Sequence, residues 1–193
     1  MLEHISLAHG NGGRLMRELI ESVIAPVLGD VLLDIQNDAA KLDNIPEGQQ
    51  LMITTDGFTV KPLEFPGGNI GSLAVHGTVN DLAVSGATPL YLSLNMFIEE
   101  GFEVESLRRI LNSLRAAAVN ANVRIACGDT KVVPRGEGSG VYYATTGIGI
   151  KPQTLNLGFD RIQDGDAILV SGPIGDHGIA VMLAREQFGL RGD

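Results

Sequence analysis

Tryptophan is absent from this 193-residue chain, and cysteine occurs once, as Cys127. A single thiol cannot build an internal disulfide framework, so the expectation is a reducing compartment. No apolar run approaches the ~18 residues that a membrane-spanning helix needs. No charged-then-apolar leader opens the chain. Positive charge is scarce: Lys and Arg total 14 against 23 Asp and Glu, a net charge of −9. Nucleic acids and anionic membranes recruit clustered Lys and Arg, so no nucleic-acid partner and no membrane partner is expected. The expected location is cytoplasmic. Nucleotides stay open, because a metal ion can sit between carboxylates and phosphate. The P-loop pattern G-x-x-x-x-G-K-[ST] is missing, and so is a dinucleotide-binding G-x-G-x-x-G with its acidic follower. The four histidines show no H-x-x-x-H spacing.

What is present is enough for a core: 44% of residues are hydrophobic. Apolar positions in "RLMRELIESVIAPVL" (14–28) recur at helical spacing, with Pro26 expected to end or bend the helix. "QLMITTD" (50–56) reads as a strand ending at an aspartate, and "FTVKPLEF" (58–65) as extended chain broken by "PGG". "IGSLAVHGTVNDLAVSG" (70–86) has helical periodicity built from small residues. "PLYLSLNMFI" (89–98) and "GVYYATTGIGI" (140–150) read as strands. "EVESLRRILNSLRAAAVNAN" (103–122) is the clearest helix. "VRIACGD" (123–129) reads as a strand running into a turn. "AILVSGPIGDHGIAVMLAREQFG" (167–189) reads as strand, glycine turn and helix. The composition shift near 152–160 divides the chain into a domain at 1–152 and the start of a second at 153–193. Strands alternating with helices indicate α+β or α/β architecture.

Two features carry possible chemistry. Gly10, Asn11, Gly12 and Gly13 stand directly before a helix, where they serve either as a turn or as a backbone seat for phosphate. Asp38, Asp56, Asp81 and Asp129 stand where apolar segments stop. Each reads either as a turn former or cap or as a hard-cation ligand. Asp81 falls in mid-helix between apolar residues; a buried carboxylate there needs a partner or a metal, so function is favoured. Lys131 follows Asp129 by two, hence on the same side of an extended segment, and suits a phosphate. His9 and His76 read as structural or substrate-orienting, and Cys127 as a small core residue.

Taken together, "LAHGNGGRLMRELI", "NDAA", "TTDGFTVKPLEFPGGNIGSLAVHGTVNDLAVSGATPLYLSL", "GDTKVV" and "SGPIGDHGIAV" resemble the hydrogenase maturation factor HypE family. That family sits in the aminoimidazole ribonucleotide synthetase superfamily. The resemblance implies an α+β N-terminal domain, a mixed sheet with helices on one face. In the family this sheet pairs with that of a second subunit into a barrel, and a second α/β domain follows. It also implies ATP at the homodimer cleft and Mg²⁺ held by Asp38, Asp56, Asp81 and Asp129. Lys131 would contact phosphate, Asn80 would contact the nucleotide, and Gly10, Asn11, Gly12 and Gly13 would cover it. The implied activity is ATP-dependent dehydration of an S-carboxamide on the protein's own C-terminal cysteine to a thiocyanate. That product supplies cyanide to the iron of [NiFe]-hydrogenase. Implied partners are a HypF-type carbamoyltransferase and the HypC–HypD complex. Asp81 and Lys131 would be catalytic, with Asp81 either a base or a metal ligand. The chain departs from the family by ending at "FGLRGD" without a cysteine tail, so a fragment is expected. Thiamine-monophosphate kinase, selenophosphate synthetase and a non-catalytic dimerisation module are the alternatives. "NDAA" lacks the doubled aspartate of the kinase, and the glycine-rich N-terminus lacks the reactive residue of the synthetase.

Overall fold

The computed structural model describes residues 3–10, 13–28 and 44–186. A 3₁₀ turn (Leu7–Gly10) leads to α1 (Arg14–Leu19), a π-turn (Ile20–Ile24) and α2 (Ala25–Leu28). Then come β1 (Gln49–Phe58), β2 (Glu64–Phe65), β3 (Gly68–Asn69), α3 (Ile70–Val84) and β4 (Thr88–Glu99). They are followed by α4 (Val104–Asn120), β5 (Arg124–Val133), β6 (Val141–Pro152) and α5 (Asp176–Ala184). Pro26 does not end the first helix. It has no N–H to give, and the wider π-turn just before it absorbs the misfit.

One four-stranded sheet, in the order β1-β6-β4-β5, organises the chain. Strands β4 and β5 are parallel, while β6 runs antiparallel to β1 and β4. A parallel pair needs a crossover, and α4 supplies it. Its Val104, Leu107, Ile110, Leu111 and Leu114 recur every three or four residues and are all buried. Each such side chain is worth about 1.5–3 kcal/mol when fully removed from water. Helix α3 starts in a capping box. Asn69 Oδ1 accepts N–H groups from Gly71 and Ser72, and Ser72 Oγ accepts the Asn69 N–H. Its small residues have a specific use: a Cβ on Gly71 would lie 2.4 Å from the Ile110 carbonyl oxygen of α4.

The sheet has one covered and one open face. Leu92, Leu94, Met96 and Ile98 of β4 are buried under the helices, opposite Gly147, Thr145, Tyr143 and Val141 of β6. Thr145 and Thr78 hydrogen-bond through their hydroxyls, pinning α3 to β6. The intervening residues form the other face. There Leu51, Ile53 and Phe97 are 50%, 69% and 40% exposed.

Tyr143 is buried, and its hydroxyl has no hydrogen-bond partner among the described residues. Burial pushes its pKa well up. An unpaired buried hydroxyl costs about 1–3 kcal/mol. Tyr143→Phe is therefore expected to gain about 1 kcal/mol in urea unfolding.

Several sequence expectations need correction. Strand β5 runs straight through Asp129 to Val133, so "GD" is not its end. Asp56 likewise lies inside β1. Cys127 is exposed rather than a core residue, because a bulge after Leu92 puts it opposite Ser93 on the open face. Residues 167–170 form no strand. A lone strand has nothing to pair with, and Ile168 and Leu169 are each 92% exposed.

Candidate functional site

The clearest acidic pair lies in the seam between β1 and α3. Period-two alternation puts Thr54, Asp56 and Phe58 on the helix side of β1, opposite Gly147, Thr145 and Tyr143. Phe58 is packed so tightly on α3 that a Cβ on Gly77 would lie 2.6 Å from its ring and 3.6 Å from Asp56 Oδ2. Asp81 follows Gly77 by four residues, one turn along the same helix face. It accepts the Thr54 hydroxyl at 3.3 Å. Asp56 accepts the Gly57 N–H at 2.7 Å. Asp81 is exposed, contrary to the buried carboxylate expected in mid-helix. The seam holds the carboxylate at the helix margin, where water reaches it.

A second polar pair stands at the opposite edge of the sheet. Asp129 and Lys131 share the open face of β5, as their spacing predicted. Lys131 Nζ lies 3.5 Å from Asp129 Oδ2, with both side chains more than half exposed. A pair so exposed contributes little to stability, which leaves the ammonium free to engage an anion. Gly10 sits beside this strand: a Cβ there would lie 2.9 Å from the Val132 nitrogen.

The two pairs do not converge in one chain. Strands β1 and β5 are the sheet's two edges, about 14 Å apart over three strand spacings. The pairs also point to opposite faces. Among the described residues no group of three or more His, Cys, Asp and Glu could hold a metal ion. Asp56 and Asp81 alone still suit Mg²⁺, which binds through one or two carboxylates and keeps water and phosphate as its other ligands.

Comparisons with known proteins identify the family and the fold. The family described as AIR synthase related protein, N-terminal domain, matches residues 36–151. The chain belongs to the AIR synthase-related family. Carbamoyl dehydratase HypE of Rhizobium leguminosarum bv. viciae is 52% identical over 182 residues, covering 94% of this chain and 51% of that protein. A crystal structure of hydrogenase maturation protein HypE in complex with ATP superposes with TM-score 0.88 at 44% identity, covering 96% of this chain and 54% of that one. HypE in a HypE–HypF complex gives TM-score 0.71 at 46% identity, covering 90% and 55%. The resemblance to HypE expected from the motifs therefore holds, as does the α+β architecture. The chain spans about half the length of the curated relatives it matches.

The remaining expected site residues of this AIR synthase-related domain are placed as follows. Asn11, Gly12 and Asp38 lie outside the described residues. Gly13 is the N-cap of α1 and makes no side-chain cap. Asn80 is exposed on α3, one residue before Asp81. His9 is structural: it is buried, and its Nδ1 accepts the Ser6 N–H at 3.0 Å. His76 lines a cleft with Asp176 and His177 of α5, where His177 meets the Phe65 ring edge-on. Thr54 was missed from sequence, although its place two residues before Asp56 on a strand was a readable signal. No helix among the described residues is long and apolar enough to cross a membrane.

Proposed function

We propose that this chain is the nucleotide-binding and dimerising part of a HypE-type carbamoyl dehydratase of [NiFe]-hydrogenase maturation. The observation that carries the reading is the split polar layout. Asp56 and Asp81 stand at one sheet edge, Asp129 and Lys131 at the other, and an apolar open face lies between. A second copy placed on that face forms a barrel and brings β5 of one subunit toward the β1–α3 seam of the other. The nucleotide site is then complete only in the homodimer. Residues 153–193 begin a second domain, which accounts for the exposure of Ile168, Leu169 and Ile174.

The chemistry follows from leaving groups. An amide oxygen leaves poorly and phosphate leaves well, so the oxygen of an S-carboxamide attacks the γ-phosphorus of ATP with departure of ADP, and loss of both N–H protons and of phosphate, which carries the oxygen away, yields S-cyanide. Asp56 and Asp81, with Asp38 and Asp129, would hold Mg²⁺, which when bound would neutralise phosphate charge. Lys131 sets its ammonium against the transferring phosphoryl group. Asn80 and the loop Gly10–Gly13 flank the nucleotide. Asp81 would also take a proton from the amide nitrogen. A HypF-type carbamoyltransferase loads the substrate, the HypC–HypD complex receives the cyanide, and the work is cytoplasmic.

The test is a calorimetric titration of the chain with ATP, with and without Mg²⁺. Magnesium-dependent binding is expected. Absence of binding in both arms would remove the nucleotide site from residues 1–193 and leave a dimerisation module.

A further inference from the structure

The glycine-rich turn "PRGEGSG" (134–140) has no task in the proposed nucleotide site. It connects β5, on one side of β4, to β6 on the other, so it must arch over the end of β4. Glu99, the last residue of β4, fills that arch. Gly136 N–H donates to its Oε1 at 2.6 Å and Gly140 N–H to its Oε2 at 3.0 Å. The Glu99 N–H donates to the Gly140 carbonyl at 2.8 Å, and the Glu100 N–H to that of Val133 at 2.9 Å. Gly136 and Gly140 need their left-handed φ of +89° and +95° to aim these groups. A Cβ on Gly138 would come within 3.3 Å of the Glu99 Cβ. Two backbone N–H groups aimed at one carboxylate make charge-assisted hydrogen bonds that hold an anion. Here the anion is the chain's own carboxylate, so the turn is not a vacant phosphate loop.

We propose that Glu99 is a positioning residue for the nucleotide site: by closing the arch it fixes the end of β5, and with it Lys131 and the surface on which Gly10 rests. This builds on the reading of Lys131 as the phosphate contact. Strand β5 is paired on one side only, and a strand end so placed frays unless it is tied down. Lys131 is two residues from that end. Val132, between them, is the residue against which Gly10 packs. A free arch therefore loosens both nucleotide-facing elements at once. The Gly136 N–H, then the Gly140 N–H, with Arg135 nearby, keep the carboxyl below its ordinary value, so the tie is charged at neutral pH.

The test uses Glu99→Ala, Lys131→Ala and their combination in the 193-residue chain. Hydrogen exchange in Glu99→Ala is expected to speed up about tenfold at residues 131–133 while the amides of α4 stay protected. Mg-ATP affinity is expected to fall about fivefold in Glu99→Ala, and the double variant to bind no worse than Lys131→Ala alone, as for residues acting through one contact. Glu99→Gln keeps one acceptor oxygen and restores part of the loss. Unchanged exchange at 131–133, or losses that add in the double variant, would overturn the proposal. Full binding by Lys131→Ala would instead strike down the phosphate role of Lys131, and the arch would keep a structural role only.

Discussion

Asp81→Asn is expected to lower ATP hydrolysis by the full-length protein about 100-fold or more while leaving the fold and melting temperature in place. The two halves of this expectation rest on different observations. Asp81 is exposed, and among the described residues its side chain has one hydrogen bond, the 3.3 Å contact from Thr54. Losing the charge of such a residue shifts stability by about 0.5 kcal/mol or less. In the proposed site, however, its carboxylate is a hard ligand or a base, and an amide is a poor substitute for either. The substitution therefore separates function from folding. Turnover at the wild-type rate would end the assignment of Asp81 to the active site. A collapse in melting temperature would mean that its helix position is structural after all.

A smaller effect tests the arch over β4. Glu99 has a depressed pKa in the folded chain, held down first by the Gly136 N–H and then by that of Gly140. A depressed carboxylate contributes stability above its unfolded value, and that contribution fades as pH falls through the folded value. The melting-temperature gap between wild type and Glu99→Gln is expected to be widest near neutrality. It should close as the pH falls below the ordinary carboxylate value of 4.5. A gap constant across that range would deny Glu99 its ionised role.

The elements with strong periodic signals were legible in the sequence. The stripe Leu107, Ile110, Leu111 and Leu114 fixes α4, and alternation in "VYYATTGIGI" fixes β6. Less legible was anything set by pairing. Whether 167–170 forms a strand depends on a neighbour, which a local apolar run does not reveal. The bulge that turns Cys127 outward is a register event between β4 and β5. The candidate site was half readable. Residue types and the Asp129–Lys131 spacing pointed to magnesium and phosphate. Their division between two sheet edges did not, because strand order is a property of topology rather than of any motif. Glu99 escaped notice for the same reason, since its partners Gly136 and Gly140 lie 37 and 41 residues away.

That division makes Ile53→Asp the most informative change on the open face. Ile53 is 69% exposed in the single chain, so the substitution leaves the core untouched and the monomer fold should survive. In a two-fold dimer built on this face the residue is used twice. Each copy then loses about 1.5–3 kcal/mol of apolar burial and must desolvate a carboxylate with no partner, at several kcal/mol more. Light scattering at micromolar concentration is expected to give a dimer mass for the wild type and a monomer mass for Ile53→Asp. Circular dichroism should be unchanged. Mg-ATP binding should vanish with the dimer, although Asp56, Asp81, Asp129 and Lys131 are all intact, because the two pairs then never meet. A wild-type monomer would refute the dimer outright. A monomeric Ile53→Asp that still binds Mg-ATP at full affinity would confine the site to one chain, with the β1–α3 seam as its whole protein contribution.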